Sequence, residues 1–227
     1  MKLLQHINYF LYIATNWGLQ IALFTLRQEW RGEKKYRINT TSFSDLSRLT
    51  ITGNQLSHAT EYMPVNYFTV EYLFTHLPEQ AKKGSLLDIG CGKGRAMCVA
   101  ASFGFQKVIG IDFAKEMIDS AEKNLSTTKQ TIHELDYQLW WQDICLFEIK
   151  KEVSTVFLFN PFDEVLMKTV VKKITRSLKE HPRPLYILYA SPRHEELFFE
   201  AGFNVVYRVK KYAYLEGVIL YKTVSPV

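Results

Sequence analysis

Cysteine is scarce in this chain. Its 227 residues include only Cys91, Cys98 and Cys145. The number is odd and no C-x-x-C spacing occurs, which argues against a disulfide framework or a thiolate zinc site and fits a reduced, cytoplasmic setting. The six histidines contain no H-x-x-x-H pair, so a metalloprotease helix is missing and no metal is expected. Internal repeats and low-complexity tracts are absent. So are zinc fingers, aromatic ribonucleoprotein signatures and long basic arms, which leaves no dedicated nucleic-acid module. Acidic residues are outnumbered, 23 against 28 Lys and Arg, giving a formal charge of +5. That excess favours phosphate or acidic partners without requiring them. At 47% hydrophobic and 22% charged, the chain can bury one substantial core, so one main domain is expected.

Charge is missing altogether from Leu3 to Leu26, a stretch long enough to raise a membrane-spanning helix. Gln5, Asn8, Tyr12, Asn16 and Gln20 recur every three or four residues, so such a helix would have to bury a polar stripe. No cleavage site of a signal peptide follows. The expectation is a helix packed on the main domain or on a second copy of the chain, with contact to a membrane surface as the other reading. Arg27, Arg31, Lys34, Lys35 and Arg37 then suit an anionic surface, or, interleaved with Glu29 and Glu33, a solvated face. Residues 36–62 are polar and rich in Thr and Ser, with a short helix expected around Phe43–Leu49. The chain therefore divides into a helical extension with its connector, 1–62, and a main domain, 63–227.

In the main domain a helix is expected after Pro64, where Val65, Phe68, Tyr72, Leu73 and Leu77 repeat at helical spacing. Strands and helices then alternate. Leu86–Gly90, Val108–Asp112, Tyr137–Gln142, Val153–Asn160 and Leu185–Ala190 read as strands, with helices at about 94–104, 114–126, 162–180 and 193–201. This order implies an α/β fold whose parallel sheet is covered on both faces. Phe203–Tyr212 and Gly217–Lys222 are joined by only four residues, too few for a helical crossover, so the sheet should close with an antiparallel hairpin. Of the adjacent Trp140 and Trp141, one is expected in the core and one at an edge.

The informative motif is Asp88-Ile89-Gly90-Cys91-Gly92-Lys93-Gly94-Arg95, glycines set between a strand and a helix. A dinucleotide fingerprint would need glycine where Arg95 stands, and a P-loop would need G-K-[ST]. A second acid, Asp112, ends the next strand, where a carboxylate can take both hydroxyls of a ribose. From about Pro64 onward the chain resembles the class I S-adenosylmethionine-dependent methyltransferases. The resemblance implies a Rossmann-like, seven-stranded, mostly parallel sheet of order 3-2-1-4-5-7-6. It also implies that S-adenosylmethionine lies against Gly90, Cys91, Gly92 and Gly94, with its ribose on Asp112 beside Phe113. Asp88 would sit near the amino group or hold the loop, and Asp143 would bind the adenine. Lys93 and Arg95 are expected to point away from the sulfur or toward the cofactor's carboxylate.

After the fourth strand, Asn160-Pro161-Phe162 resembles the [DN]-P-P-[FYW] motif of amino-methyltransferases, with Phe162 in place of the second proline. The resemblance implies that Asn160 and the Pro161 carbonyl accept hydrogen bonds from a target NH while an aromatic stacks on it. Asn-Pro that merely ends the strand, with Phe162 packed on the next helix, is the alternative. Tyr62 is a candidate for a lid over the cofactor. Lys172, Lys173, Arg176, Arg208, Lys210 and Lys211 are candidates for a phosphate track. The acceptor is left open between protein, nucleic acid and a small amine, as is a non-catalytic module that binds the cofactor for a partner.

Overall fold

A computed structural model describes residues 10–11, 13–16, 18–41, 50–52, 63–159, 162–212 and 215–224. Three of the expected site residues, Tyr62, Asn160 and Pro161, and the short helix expected around 43–49 lie outside these. Seven strands form one sheet of order β3-β2-β1-β4-β5-β7-β6. They are β1 Ser85–Ile89, β2 Lys107–Asp112, β3 Asp136–Trp141, β4 Val153–Phe159, β5 Leu185–Ala190, β6 Asn204–Lys211 and β7 Leu215–Lys222. The first five are parallel neighbours, whereas β7 runs antiparallel to both β5 and β6. The hairpin turn is tighter than the sequence suggests, because Leu215 and Glu216 already belong to β7.

The helices are α1 Leu19–Tyr36, α2 Tyr67–His76, α3 Arg95–Ser102, α4 Lys115–Lys129, α5 Glu164–Glu180 and α6 Glu196–Glu200. Burial explains where the sheet sits. β1 and β5 are buried at every position, as strands covered on both faces must be. In α5, Leu166, Val170, Ile174 and Leu178 are all buried, the i, i+4 stripe of an amphipathic helix, and Asp163 caps its start by accepting from the Leu166 amide at 3.0 Å. β3 is an edge strand, so Trp140 and Trp141 stay 39% and 43% exposed. Neither enters the core, contrary to the reading of one core and one edge tryptophan.

The N-terminal region also differs from the expected helix over 3–26. Residues 13–16 are helical, Gly18 breaks the run with φ 95°, and α1 then continues through the basic stretch to Tyr36. Glu29, Glu33, Lys34 and Lys35 are good helix formers, so α1 does not stop where the charges begin. Among the described residues no helix is long and apolar enough to cross a membrane. Leu19, Leu23 and Trp30 are exposed on α1, while part of the basic run pairs with α2. Arg31 and Lys35 both bond Glu71 of α2, as does the Tyr36 hydroxyl. Burial works to raise the Glu71 carboxyl, but these three donors hold it below the ordinary carboxylate value.

Gly32 lets α1 approach α2 closely. A Cβ at that position would stand 2.2 Å from Cγ of Tyr67, closer than any unstrained contact. Glycine to alanine inside a helix ordinarily stabilises by about 1 kcal/mol, whereas forced overpacking costs about 1–3 kcal/mol. Gly32→Ala is therefore expected to lower the urea midpoint, and a raised midpoint would show that the α1–α2 contact is looser than described.

Candidate functional site

The glycine loop joins the end of β1 to the start of α3, and its conformation requires glycine. Gly90, Gly92 and Gly94 have φ of 73°, 51° and 77°, the left-handed region where other residues are strained. Gly90 and Cys91 donate their amides to the Ile111 carbonyl of β2 at 2.9 Å each. The Gly92 amide donates to Oδ2 of Asp112 at 2.9 Å, and Oδ1 of the same carboxylate takes the Ala114 amide at 2.9 Å. Asp112 thus locks the loop onto the end of β2 and keeps acceptor capacity on both oxygens for two hydroxyl donors.

Asp112, Phe113, Asp143, Ile144, Phe162 and Leu166 line one cleft at the C-terminal ends of the strands, where an open α/β sheet places its ligand. Asp143 accepts from the Cys145 amide at 2.8 Å, which fixes the turn after β3 and aims this wall of the cleft. Phe162 is buried and packs in the cluster containing Ile144 and Leu166, so it serves the core and the cleft wall together. Phe113 is pinned from outside: its carbonyl accepts from Trp141 Nε1 at 2.9 Å and from the Thr52 amide at 3.0 Å.

Beneath the loop, Asp88 is 3% exposed. Among the described residues its carboxyl group has no hydrogen bond or ion pair, and burial and the Asp112 charge are what act on it. Burial pushes its carboxyl up to about 8, and the nearby Asp112 charge adds to the shift. Asp112 itself is pushed up to about 6 by burial, against the opposing hydrogen bonds from the Ala114, Gly92 and Phe113 amides. A buried carboxylate with only another acid as its charged neighbour is the cavity chemistry that suits a cation. The Cys91 thiol is held neutral by burial, well above its ordinary value.

The two cations of the loop do not face this cleft as equals. Arg95 turns away from it. Its guanidinium makes a bidentate pair with Glu29 of α1 at 2.7 and 2.9 Å, and also bonds Thr40 Oγ1 and the Val65 carbonyl at 2.7 Å each. Its flat face lies 4.0 Å from the centre of the Tyr67 ring. Arg95 is 3% and Glu29 0% exposed. Nearby, Glu33 accepts from the Thr40 and Thr41 amides at 2.7 and 2.8 Å. Lys93 is buried as well, and that burial pushes its ammonium down to about 8, partly offset by the Glu33 charge. From the other side Asn124 of α4 donates to the Lys93 carbonyl at 2.9 Å and exchanges hydrogen bonds with the Asn39 backbone.

Residues 50–52 form another tether. Ile51 bridges Ala114, and Glu116 accepts from the Thr50 amide and hydroxyl. Thus Glu29, Glu33, Thr40, Asn124 and Thr50, which sequence reading did not single out, hold the loop and the turn after β2. A buried-face glutamate on α1 was the one available signal, since Glu29 shares the i, i+4 spacing of Thr25 and Glu33.

The candidate phosphate-track residues are largely engaged. Arg176, Arg208 and Lys210 pair with Glu180, Glu195 and Glu216, and Lys173 donates to the Phe147 carbonyl at 3.0 Å.

Residues 86–181 match the family model described as a methyltransferase domain. No curated protein sequence matches the chain. Among solved structures, a Pyrococcus horikoshii protein described as a candidate RNA methyltransferase is 19% identical with a TM-score of 0.54, and covers 79% of this chain and 96% of its own. An S-adenosylmethionine-dependent O-methyltransferase from Thermotoga maritima is 16% identical with a TM-score of 0.54, covering 74% of this chain and 69% of its own. At such identities both similarities establish the fold.

Proposed function

We propose that this protein is a class I S-adenosylmethionine-dependent methyltransferase, a reading supported by the methyltransferase-domain match over residues 86–181, and that it transfers the methyl group to an amine or amide nitrogen of its acceptor. The observation that carries the reading is the Asn160-Pro161 pair in the sequence, read against the residues on either side of it. The pair follows Phe159, the last residue of β4, and precedes Phe162, which stands in the cleft wall with Asp112 and Asp143. An asparagine oxygen and a proline carbonyl are acceptors of the kind that a target NH requires.

The residues present fit the cofactor. Asp112 has acceptor capacity for two ribose hydroxyls, and Asp143 stands across the same cleft for the adenine edge. Asp88, buried without a counter-charge, suits the ammonium of the methionine portion. When bound, S-adenosylmethionine supplies a methyl group already activated by the sulfonium. The chain's own part is then positional: the glycine loop, fixed by Asp112 and Asn124, sets where the donor rests, and Phe162, Ile144 and Leu166 exclude water from that wall. Asn160 orients the nitrogen lone pair, and the proton leaves once the alkylated nitrogen has become acidic.

Asp112→Ala is expected to weaken S-adenosylmethionine binding at least tenfold, about 1.4 kcal/mol. Unchanged affinity in titration calorimetry would remove Asp112 from the site. The nitrogen reading is tested by transferring labelled methyl into a cell extract with wild-type protein and Asn160→Ala, then separating protein, nucleic-acid and organic-soluble fractions. The expected result is label on nitrogen in one fraction, lost with the variant while calorimetry shows retained cofactor binding. Label on oxygen or carbon, or an undiminished signal from Asn160→Ala, overturns it.

A further inference from the structure

Three aromatic rings from three separate elements meet around one ammonium at the hairpin turn. Phe24 of α1 lies edge-to-face with Phe68 of α2 at 5.7 Å and with Tyr212, just past β6, at 5.5 Å. The Nζ of Lys211 is 4.6 Å from the Phe24 ring centre, 4.8 Å from Phe68 and 5.8 Å from Tyr212. Its place there follows from strand alternation: Tyr207 packs on Tyr72 and His76 of α2, Val209 is buried in the same cluster, and Lys211 is the next residue on that face. Lys210, on the opposite face, has an ordinary partner in Glu216. Lys211 is exposed, makes no ion pair among the described residues, and has its ammonium over these ring faces.

The backbone is bent to make this arrangement. Tyr212 has φ 58°, and Ser191, at the end of β5, has φ 49° while its amide bonds the Glu216 carbonyl at 2.9 Å. Left-handed conformations at residues other than glycine are strained and concentrate at ligand sites. The register also fixes the location. Phe159 at the end of β4 is opposite Ala190, Ala190 is opposite Gly217, and Lys211 is opposite Leu215. The box therefore stands at the end of the sheet that carries the glycine loop, three strand spacings or roughly 14 Å from the end of β4.

We propose that Phe24, Phe68 and Tyr212 form an acceptor subsite for an alkylammonium group, with Lys211 as its resting occupant. Rings converging on a cation select charge and tolerate alkyl substitution, because attraction comes from their negative faces instead of from directed hydrogen bonds. The distance from β4 makes this group a second cation of the acceptor, separate from the nitrogen that receives the methyl group. The acceptor is then a diamine or a lysine-bearing peptide. The assignment of the box as an acceptor subsite rests on the amine reading above, but cation binding in it needs neither cofactor nor turnover, so the two fail separately.

The test is tetramethylammonium binding followed by NMR, with neopentyl alcohol as the uncharged probe of the same shape. Lys211→Ala is expected to bind tetramethylammonium at least fivefold more tightly than wild type, and Lys211→Ala/Phe68→Leu to lose that gain. Equal binding by wild type and Lys211→Ala, or equal affinity for the uncharged probe, overturns the proposal. In the wild-type protein, which requires no folding of a variant, the Lys211 ε-methylene protons should show an upfield ring-current shift that Phe24→Leu reduces. Their absence from that region overturns the resting occupancy. Displacement of tetramethylammonium from Lys211→Ala by 1,10-diaminodecane, long enough to reach the end of β4, assigns a free diamine, and displacement by Nα-acetyl-lysine amide assigns a peptide. Displacement by neither rejects the box as an acceptor subsite.

Discussion

Glu29→Ala is expected to lower the free energy of unfolding by about 3–5 kcal/mol, enough to unfold a marginal domain at physiological temperature. The reason is asymmetry. Glu29 and Arg95 are 0% and 3% exposed and paired through two short contacts, so losing the carboxylate leaves a buried guanidinium facing Glu33 at 4.0 Å in place of a close bidentate partner. Thr40 Oγ1, Thr41 Oγ1 and the Val65 carbonyl can still satisfy its hydrogens, but Glu33 at 4.0 Å compensates its charge less well than the lost bidentate contact. Replacing both members, as in Glu29→Met with Arg95→Met, should recover most of the loss, because the desolvation of two ions is removed along with their attraction.

Urea denaturation measures both changes, with an unaltered slope marking a change in stability alone. A loss under about 1 kcal/mol for Glu29→Ala, as for an exposed pair, would show that water reaches the clamp. Since Arg95 directly follows Gly94, the same variant should weaken S-adenosylmethionine binding even where it remains folded. On this account the N-terminal helix is a support of the glycine loop, and its removal is expected to abolish cofactor binding.

Asp88→Asn is expected to raise the melting temperature of the cofactor-free protein near pH 8 and to weaken cofactor binding at the same pH. An unfolded aspartate titrates near 3.9, whereas burial, aided by the Asp112 charge, pushes folded Asp88 up to about 8. Between these values the folded chain holds a proton that the unfolded chain has released. The contribution of Asp88 to stability is therefore complete below about pH 4 and is lost as the pH rises through about 8. Asparagine cannot ionise, so the variant's advantage should be largest above pH 8 and vanish toward pH 4. Thermal melts of both proteins across that interval check the sign, and a constant difference at all pH values would mean that Asp88 ionises as freely as on the surface.

The same proton gives a binding prediction. If the ammonium of S-adenosylmethionine approaches Asp88, binding should favour the ionised carboxylate and release a proton near neutral pH. Calorimetry in buffers of different ionisation enthalpy detects that release, which Asp88→Asn should abolish.

The alternation of strands and helices, the closing hairpin and the glycine loop were legible because local chemistry dictates them, while the strand order came from the resemblance to the class I methyltransferases. Strands such as Ser85–Ile89 must be buried on both faces, four residues cannot hold a crossover helix, and glycines between a strand and a helix mark a left-handed turn. Asp112 was legible for the same reason, as an acid ending the second strand.

The two features with the largest consequences were not. Arg95 was expected to point away from the sulfur or toward the cofactor's carboxylate; its side chain turns away, but its partner Glu29 stands 66 residues earlier, because only tertiary packing brings that buried carboxylate within reach. The charge-free stretch suggested a helix ending near Leu26, but α1 runs on to Tyr36, with Arg31 and Lys35 bonded to Glu71 of α2 from the surface. Likewise the aromatic box unites Phe24, Phe68 and Tyr212 from distant segments, a meeting that no local period records. By itself the sequence determined the sheet and the chemistry of the cofactor loop, since both depend on short-range pattern. The tertiary structure decided which charges are buried together and which rings surround a cation, since long-range packing alone sets those distances.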